Sequence, residues 1–358
     1  MFESILGEKS FLGIDIGTTS IKVAEISKSS KQPRLTNYGI LESFGHLKRL
    51  NDAFQTSSLK LAVRGTVLML KTLLKKADFG TEDVIASIPA FSAFVTVLEL
   101  PGMSPQETES ALKFQIPQYI PLAPEEMSID WQKIEETEDE KGMVKQRILL
   151  TAVPNEKVAA YKEIFKQAGL KLKYLEVESL SLIRALAPGG DSASLVVDIG
   201  SRATNIVVAR QGLLKYNYQT DFAGFSLTQA VANGLQIDIK RAEEMKKQRG
   251  ILVKTVNQEL STLTLPFLDV IINEVKRSRD NYEKSGDAKV ERIVLAGGGA
   301  KMLGIEDYFS EQIGLPAAVG NPFVQVAYSA EVEPMIKDLA PSFSVAVGLG
   351  IKNFINTD

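Results

Sequence analysis

The sequence predicts an α/β fold built of two duplicated halves that face each other across a cleft. Three observations carry this. "LGIDIGTTSIKVA" from Leu12 and "LVVDIGSRATNIVVA" from Leu195 share an apolar strand, Asp-Ile-Gly, a polar turn and a second strand ending in Val-Ala. Two copies so far apart point to a duplicated domain rather than a solenoid; matched on that Val-Ala ending, the second turn is two residues longer than the first. Each copy places one acid, Asp15 or Asp198, on a strand whose neighbours are apolar, and a lone buried carboxylate is costly unless something pairs with it. Finally, "RIVLAGGGAKMLGI" runs a strand into Gly297, Gly298 and Gly299 and then into a helix start.

The bulk composition narrows the function classes. The 358 residues suffice for two domains of ordinary size. With 41 basic and 44 acidic residues the formal charge is −3, so no basic excess points to nucleic acid. Cysteine is absent and His46 is the single histidine, which excludes a disulfide frame and leaves little for a zinc site or a His-based triad. His46 is read as a surface or loop residue rather than a catalytic one. No secretory signal or membrane-spanning run is visible, and Phe2, Ile5 and Leu6 are read as docking on the fold's own surface; the expected location is cytoplasmic.

In chain order, "FLGIDIG" and "IKVAEIS" form a hairpin, and "SLKLAVRGTVLMLKTLLKKA" shows the 3–4 spacing of a helix. "VIASIPA" returns as a strand. "SPQETESALKFQI" opens with a serine cap and early acids, as a helix does, and should end near Gln115 because Pro117 follows. "MSIDWQKIEE" and "MVKQRILLTAVP" flank the solvated acidic turn "TEDEKG". "NEKVAAYKEIFKQAG" is an amphipathic helix stopped by Gly169, and "APGGD" at 187–191 is the best linker. The expected division is a first half over 1–190 with an α+β insert at about 95–176. A second half covers 191–358, with a helical subdomain at about 232–288 and a C-terminal helix at about 341–355 that returns to the first half.

The chemistry follows from the turns. Glycines and hydroxyls let backbone N–H groups close around phosphate oxygens. Two facing carboxylates suit a magnesium ion that keeps most of its waters. Three consecutive glycines let a flat base or a phosphate approach the main chain closely.

This set of elements resembles the actin-like ATPase superfamily, in which two phosphate hairpins, two connecting helices and a glycine-rich adenosine loop frame one nucleotide. "ESLSLIRAL" and "SFSVAVGLGI" match the connecting helices, and "RAEEMKKQRG" resembles the adenosine helix of FtsA and MreB. The compact insert, "KFQIPQYIPLAPEEMSIDWQ" and "GLPAAVGNPF" resemble the PilM family of type IV pilus assembly proteins within the FtsA-like branch. FtsA's amphipathic C-terminal membrane helix has no counterpart in "GLGIKNFINTD". "GIDIGTTSIKV" is also similar to the opening of sugar kinases, and MreB-like filament formation is the other alternative.

The resemblance implies an actin-like fold around ATP or ADP with Mg2+. Asp15 and Asp198 would approach the metal through water, while Gly17, Thr18, Thr19, Lys22 and Gly200 lie along the phosphates. Glu243, Lys246 and Gly297 to Gly299 would frame the adenosine, and Glu178 would be either the general base or simply an acid favoured at a helix N-terminus. Arg202 stands where relatives commonly carry a second glycine, so slow or absent ATPase activity is expected. The implied role is an adaptor beneath the inner membrane that holds the N-terminal cytoplasmic peptide of PilN, with other inner-membrane and motor components as further partners. The wall of the peptide groove would include Gln118, Tyr119 and Ile120, stiffened by Pro117, Pro121 and Pro124.

Overall fold

A computed structural model describes residues 9–42, 59–119, 123–138, 142–251, 258–285 and 288–354. Two five-stranded sheets share one topology. In the first, β1 (Ser10–Ile16), β2 (Ser20–Ser27) and β3 (Arg34–Glu42) form an antiparallel meander. β4 (Asp83–Ile88) and β8 (Lys171–Val177) extend it in parallel, in the order β3-β2-β1-β4-β8. The second repeats this with β9 (Ala193–Ile199), β10 (Thr204–Arg210), β11 (Leu213–Thr220), β12 (Val290–Ala296) and β13 (Ala317–Val319), ordered β11-β10-β9-β12-β13. The duplication seen in two short motifs therefore extends to whole sheets. A smaller sheet of β5 (Phe94–Pro101), β6 (Met127–Glu138) and β7 (Val144–Pro154) has the order β5-β7-β6.

Helices cover the sheets. α1 (Leu59–Ala77) packs with α3 (Asn155–Ala168) on the first sheet. α3 ends as its sequence dictates: Gly169 adopts φ 80°, and the Leu170 N–H returns to the Phe165 carbonyl. α5 (Gly224–Leu235), α6 (Ile239–Arg249) and α7 (Gln258–Lys284) gather beside the second sheet, followed by α8 (Ile305–Ile313). α4 (Glu178–Leu186) and α9 (Glu333–Gly350) cross between the two large sheets. Their crossing is tight: a Cβ on Gly348 would lie 2.0 Å from the Ser181 carbonyl oxygen, and one on Gly13 the same distance from that of Ala346. Alanine normally stabilises a helix relative to glycine by about 1 kcal/mol. Gly348→Ala is nevertheless expected to cost roughly 3 kcal/mol, because the backbones must separate. A urea unfolding curve that shifts to higher midpoint would contradict this account.

Four local expectations need correction. The helix opened by Ser104, α2 (Pro105–Tyr119), runs past Pro117 instead of ending near Gln115. Leu112 and Ile116, one turn apart, are buried against β5, β6 and β7, and this apolar stripe outweighs the missing proline N–H in the last turn. α9 begins at Glu333, not 341; Pro341 lies inside it, where the carbonyl one turn back belongs to exposed Lys337 and can be hydrated. β8, expected within the insert, pairs in parallel with β4 and completes the first sheet, and α3 packs on that sheet's core. Most of their apolar residues face the first sheet's core, which the local pattern cannot reveal.

The fourth correction concerns the hairpins. Asp15 pairs with Lys22 and Asp198 with Asn205, an offset of seven in each case, so the turns are equal in length. Matching Ile-x-Val-Ala displaced the second copy by two residues; in space Asn205 stands where the first hairpin has Lys22. His46, Phe2, Ile5, Leu6, Ile120, Pro121 and Leu122 lie outside the described residues.

Candidate nucleotide site

The two hairpin turns close the same way. The Gly17 N–H donates to the Ser20 carbonyl and the Gly200 N–H to that of Ala203, both at 3.0 Å. They line one cleft of about 1520 Å3, open mouth included, between the two large sheets. Asp15, Gly17, Thr18, Thr19, Lys22, Glu178, Asp198, Gly200, Glu243, Lys246 and Gly297 to Gly299 all line it. The structure thus brings together every cofactor, metal and general-base residue expected from the sequence. Gln118 is exposed on the last turn of α2, away from the cleft; the Tyr119 side chain lies outside the described set.

The cleft floor is strongly acidic for its depth. Lys22 Nζ lies 2.9 Å from Asp15 Oδ2, and the Ser87 hydroxyl donates to Asp15 Oδ1 at 3.2 Å. Burial lowers the pKa of Lys22, but Asp15, with Asp198 and Glu178 beyond it, prevails and holds the ammonium above its ordinary value. Burial, reinforced by the neighbouring Asp15 charge, pushes Asp198 up to about 6. Burial, then Asp198 and Asp15, push Glu178 up to about 8, although the Ala90 N–H donates to Glu178 Oε1 at 3.1 Å. Because Asn205 replaces a second lysine, Lys22 is the chief cation facing three carboxyl groups.

At the far end, Gly297 takes φ 81°, and a Cβ there would lie 2.4 Å from Asp198 Oδ1 and 2.5 Å from the Ile199 carbonyl oxygen. A Cβ on Gly299 would strike the Ile199 side chain at 2.4 Å, whereas one on Gly298 would meet nothing within 4 Å. The glycines therefore have different duties. The outer two let the turn press on β9, and the middle one leaves a bare patch of main chain on the cleft.

Lys246 is buried on α6, and its three donors go to Glu243 Oε2 (2.7 Å), Thr228 Oγ (2.8 Å) and the Gly224 carbonyl (2.9 Å). It ties α6 to the start of α5. Glu243 also accepts from Thr228; burial opposes its charge, but Lys246, Thr228 and Lys247 hold the carboxyl below its usual range. Lys247 and Glu42 form an ion pair at 3.9 Å across the mouth. Lys301 also lines the cleft, its pKa lowered by burial against the pull of Asp338.

Sequence reasoning missed Ser87, Ala90, Thr228 and Lys301. Only Ser87 carried a signal, a lone hydroxyl in the apolar run "VIASIP" beside the strand of Asp15.

The residues fit a nucleotide with a divalent cation: two N–H-bearing turns, a bare glycine patch and an excess of buried acid over base. A profile of the family described as type IV pilus assembly protein PilM matches residues 13–354. The chain belongs to this family. It is 23% identical to the cell division protein FtsA of Enterococcus hirae over 347 residues, spanning 85% of this chain and 76% of that one. Among solved structures, the PilM-PilN type IV pilus biogenesis complex matches with a TM-score of 0.82 at 22% identity, covering 98% of this chain and all of that one. MreB5 of Spiroplasma citri bound to ADP matches with a TM-score of 0.54 at 15% identity, covering 96% and 95%. The fold is therefore actin-like, and the chain is a type IV pilus assembly protein. Among the described residues no helix is long and apolar enough to cross a membrane.

Proposed function

We propose that this protein is a nucleotide-binding adaptor of the pilus machine, working at the cytoplasmic face of the inner membrane. In this reading it holds the N-terminal peptide of a PilN-type partner and links the membrane-embedded alignment complex to the motor. The observation that carries the nucleotide part is the convergence of both Asp-Ile-Gly hairpins and the glycine turn on one cleft. The likeness to a family member solved together with PilN supports the partner part. The division follows the sheets: a first half to about residue 190, then a second half that includes the α5–α7 helical group.

In the site, Gly17, Thr18, Thr19, Lys22 and Gly200 receive the phosphates of ATP or ADP, and Asp15 and Asp198 orient the water shell of Mg2+. Gly298 lies against the base, with Gly297 and Gly299 shaping the turn. Glu243 faces the adenosine while Lys246 holds α6 in place. The bound metal supplies charge neutralisation at the phosphates. Glu178 is the general-base candidate; in the nucleotide-free protein burial, then Asp198 and Asp15, push its carboxyl up to about 8. Turnover is slow or absent because Arg202, exposed on the second turn, puts a side chain where relatives commonly carry a glycine.

The peptide site takes an extended segment beside the last turn of α2 at Gln118, with Tyr119 and Ile120 following in sequence. The test combines thermal unfolding with calorimetry. Mg-ATP at a hundredfold excess over its dissociation constant is expected to add about 2.7 kcal/mol of stability. A synthetic PilN N-terminal peptide should bind with or without it, and Tyr119→Ala should weaken only the peptide. An unchanged melting temperature sinks the nucleotide reading, and absence of peptide binding sinks the adaptor reading.

A further inference from the structure

The small sheet is tied covalently to the first large sheet but clasped to the second. It leaves β4 through Pro89 and a 3-10 turn at Ala90–Ser92, and returns to α3 after Pro154. Its face, however, packs against β10 and β11. Ile134 and Leu149 share one buried cluster with Val207 and Leu214, with Val95 and Val97 packed against it. At the centre of that contact Lys215 on β11, its side chain 1% exposed, lies 2.6 Å from Glu135 Oε2 on β6, and Arg147 on β7 lies 3.3 Å from the same oxygen.

Both strands are bulged at this point. β6 pairs Lys133 with Ile148 and Glu135 with Arg147, leaving Ile134 as an extra residue. β11 pairs Tyr216 with Val208 and Leu214 with Ala209, leaving Lys215 extra. Strict alternation would send Ile134 and Glu135 to opposite faces. The bulge lets Ile134 enter the shared core while Glu135 reaches Lys215, and bulges characteristically re-aim side chains in this way. A buried ion pair is weak evidence for stability, since desolvation offsets much of the attraction; its best-attested use is to fix one register or one state.

The other end of the same unit reaches the cleft. Ala90, in the turn that leads into β5, donates its N–H to Glu178, and Phe91 beside it lines the cleft. One continuous path therefore runs from Glu178 through Ala90 and the small sheet to Glu135 and Lys215. We propose that the small sheet is a transmission arm: occupancy of the nucleotide cleft, sensed at the Ala90–Glu178 contact, sets the order of β6 and β7 through the Lys215–Glu135–Arg147 clasp. This rests on the nucleotide reading above.

Hydrogen exchange read by mass spectrometry separates the two claims, using the full chain with and without Mg-ATP, as wild type and as Lys215→Met. In the wild type, Mg-ATP should slow exchange in both hairpins and, at least fivefold, in β6 and β7. In Lys215→Met the hairpins should still be protected while the β6 and β7 effect disappears, and these strands should exchange faster than wild type even without nucleotide. Hairpin protection with no response in β6 and β7, or an identical response in the variant, overturns the transmission arm. If Mg-ATP protects neither hairpin, the nucleotide reading fails, and the transmission arm that rests on it is overturned too. The nucleotide-free comparison then judges the clasp alone, which unchanged β6 and β7 exchange in Lys215→Met refutes. Glu135→Gln, which keeps a hydrogen-bond acceptor, supplies the same comparison with a smaller effect should Lys215→Met fold poorly.

Discussion

Gly298→Val is expected to weaken Mg-ATP binding by at least ~100-fold, about 2.7 kcal/mol, while leaving the unfolding midpoint of the nucleotide-free protein nearly unchanged. A Cβ at this position meets no protein atom within 4 Å, so the added methyls stand in the cleft and exclude only what approaches the bare main chain there. The neighbouring Gly297→Ala is the contrasting control. Its φ of 81° and a Cβ 2.4 Å from Asp198 Oδ1 force the turn away from β9, which should cost roughly 2–3 kcal/mol of stability. Calorimetric titration and urea unfolding of the two variants separate binding from folding. Undiminished affinity in Gly298→Val would show that the nucleotide does not lie against this turn.

The nucleotide-free protein is expected to lose stability as pH rises from about 5 to about 9, and Glu178→Gln to abolish most of that loss. The sign follows from linkage. Burial, then Asp198 and Asp15, raise the Glu178 pKa from 4.5 to about 8, so across that interval the native state binds more protons than the unfolded chain. The native state is thereby favoured at low pH, and the advantage is gone once pH exceeds the folded value. Asp198, raised from 3.8 to about 6, acts in the same direction over a lower window. The loss attached to Glu178 between pH 5 and 9 is on the order of 4 kcal/mol, because each pKa unit corresponds to ~1.4 kcal/mol and the first part of the shift lies below pH 5. Urea midpoints measured from pH 5 to 9 should converge for wild type and Glu178→Gln near pH 5, with the variant clearly more stable near pH 9. Parallel curves would show that Glu178 is ionised in the native state throughout.

What the sequence by itself determined was the local chemistry and its duplication. Asp-Ile-Gly places a carboxylate two positions before the glycine that opens a turn, and that adjacency is covalent, so both Asp-Ile-Gly hairpins and both acids were legible as text. The three-glycine turn was legible for the same reason, and so was the residue set that meets at the cleft. Tertiary structure alone decided everything that depends on register and on burial from several sides. The equal length of the hairpins, and hence Asn205 opposite Asp198, is a matter of strand pairing that an apolar Ile-x-Val-Ala match misplaced. Membership of α3 and β8 in the first sheet depends on which distant core their apolar residues face. Lys246 reads as an ordinary exposed partner of Glu243, yet its donors are consumed by α5. The raised pKa of Glu178 and the clasp of Lys215 with Glu135 have no local signature. The first is set by burial and then by two acids contributed from separate sheets, and the second by bulges in two strands some eighty residues apart, so each exists only once distant segments share a low-dielectric interior.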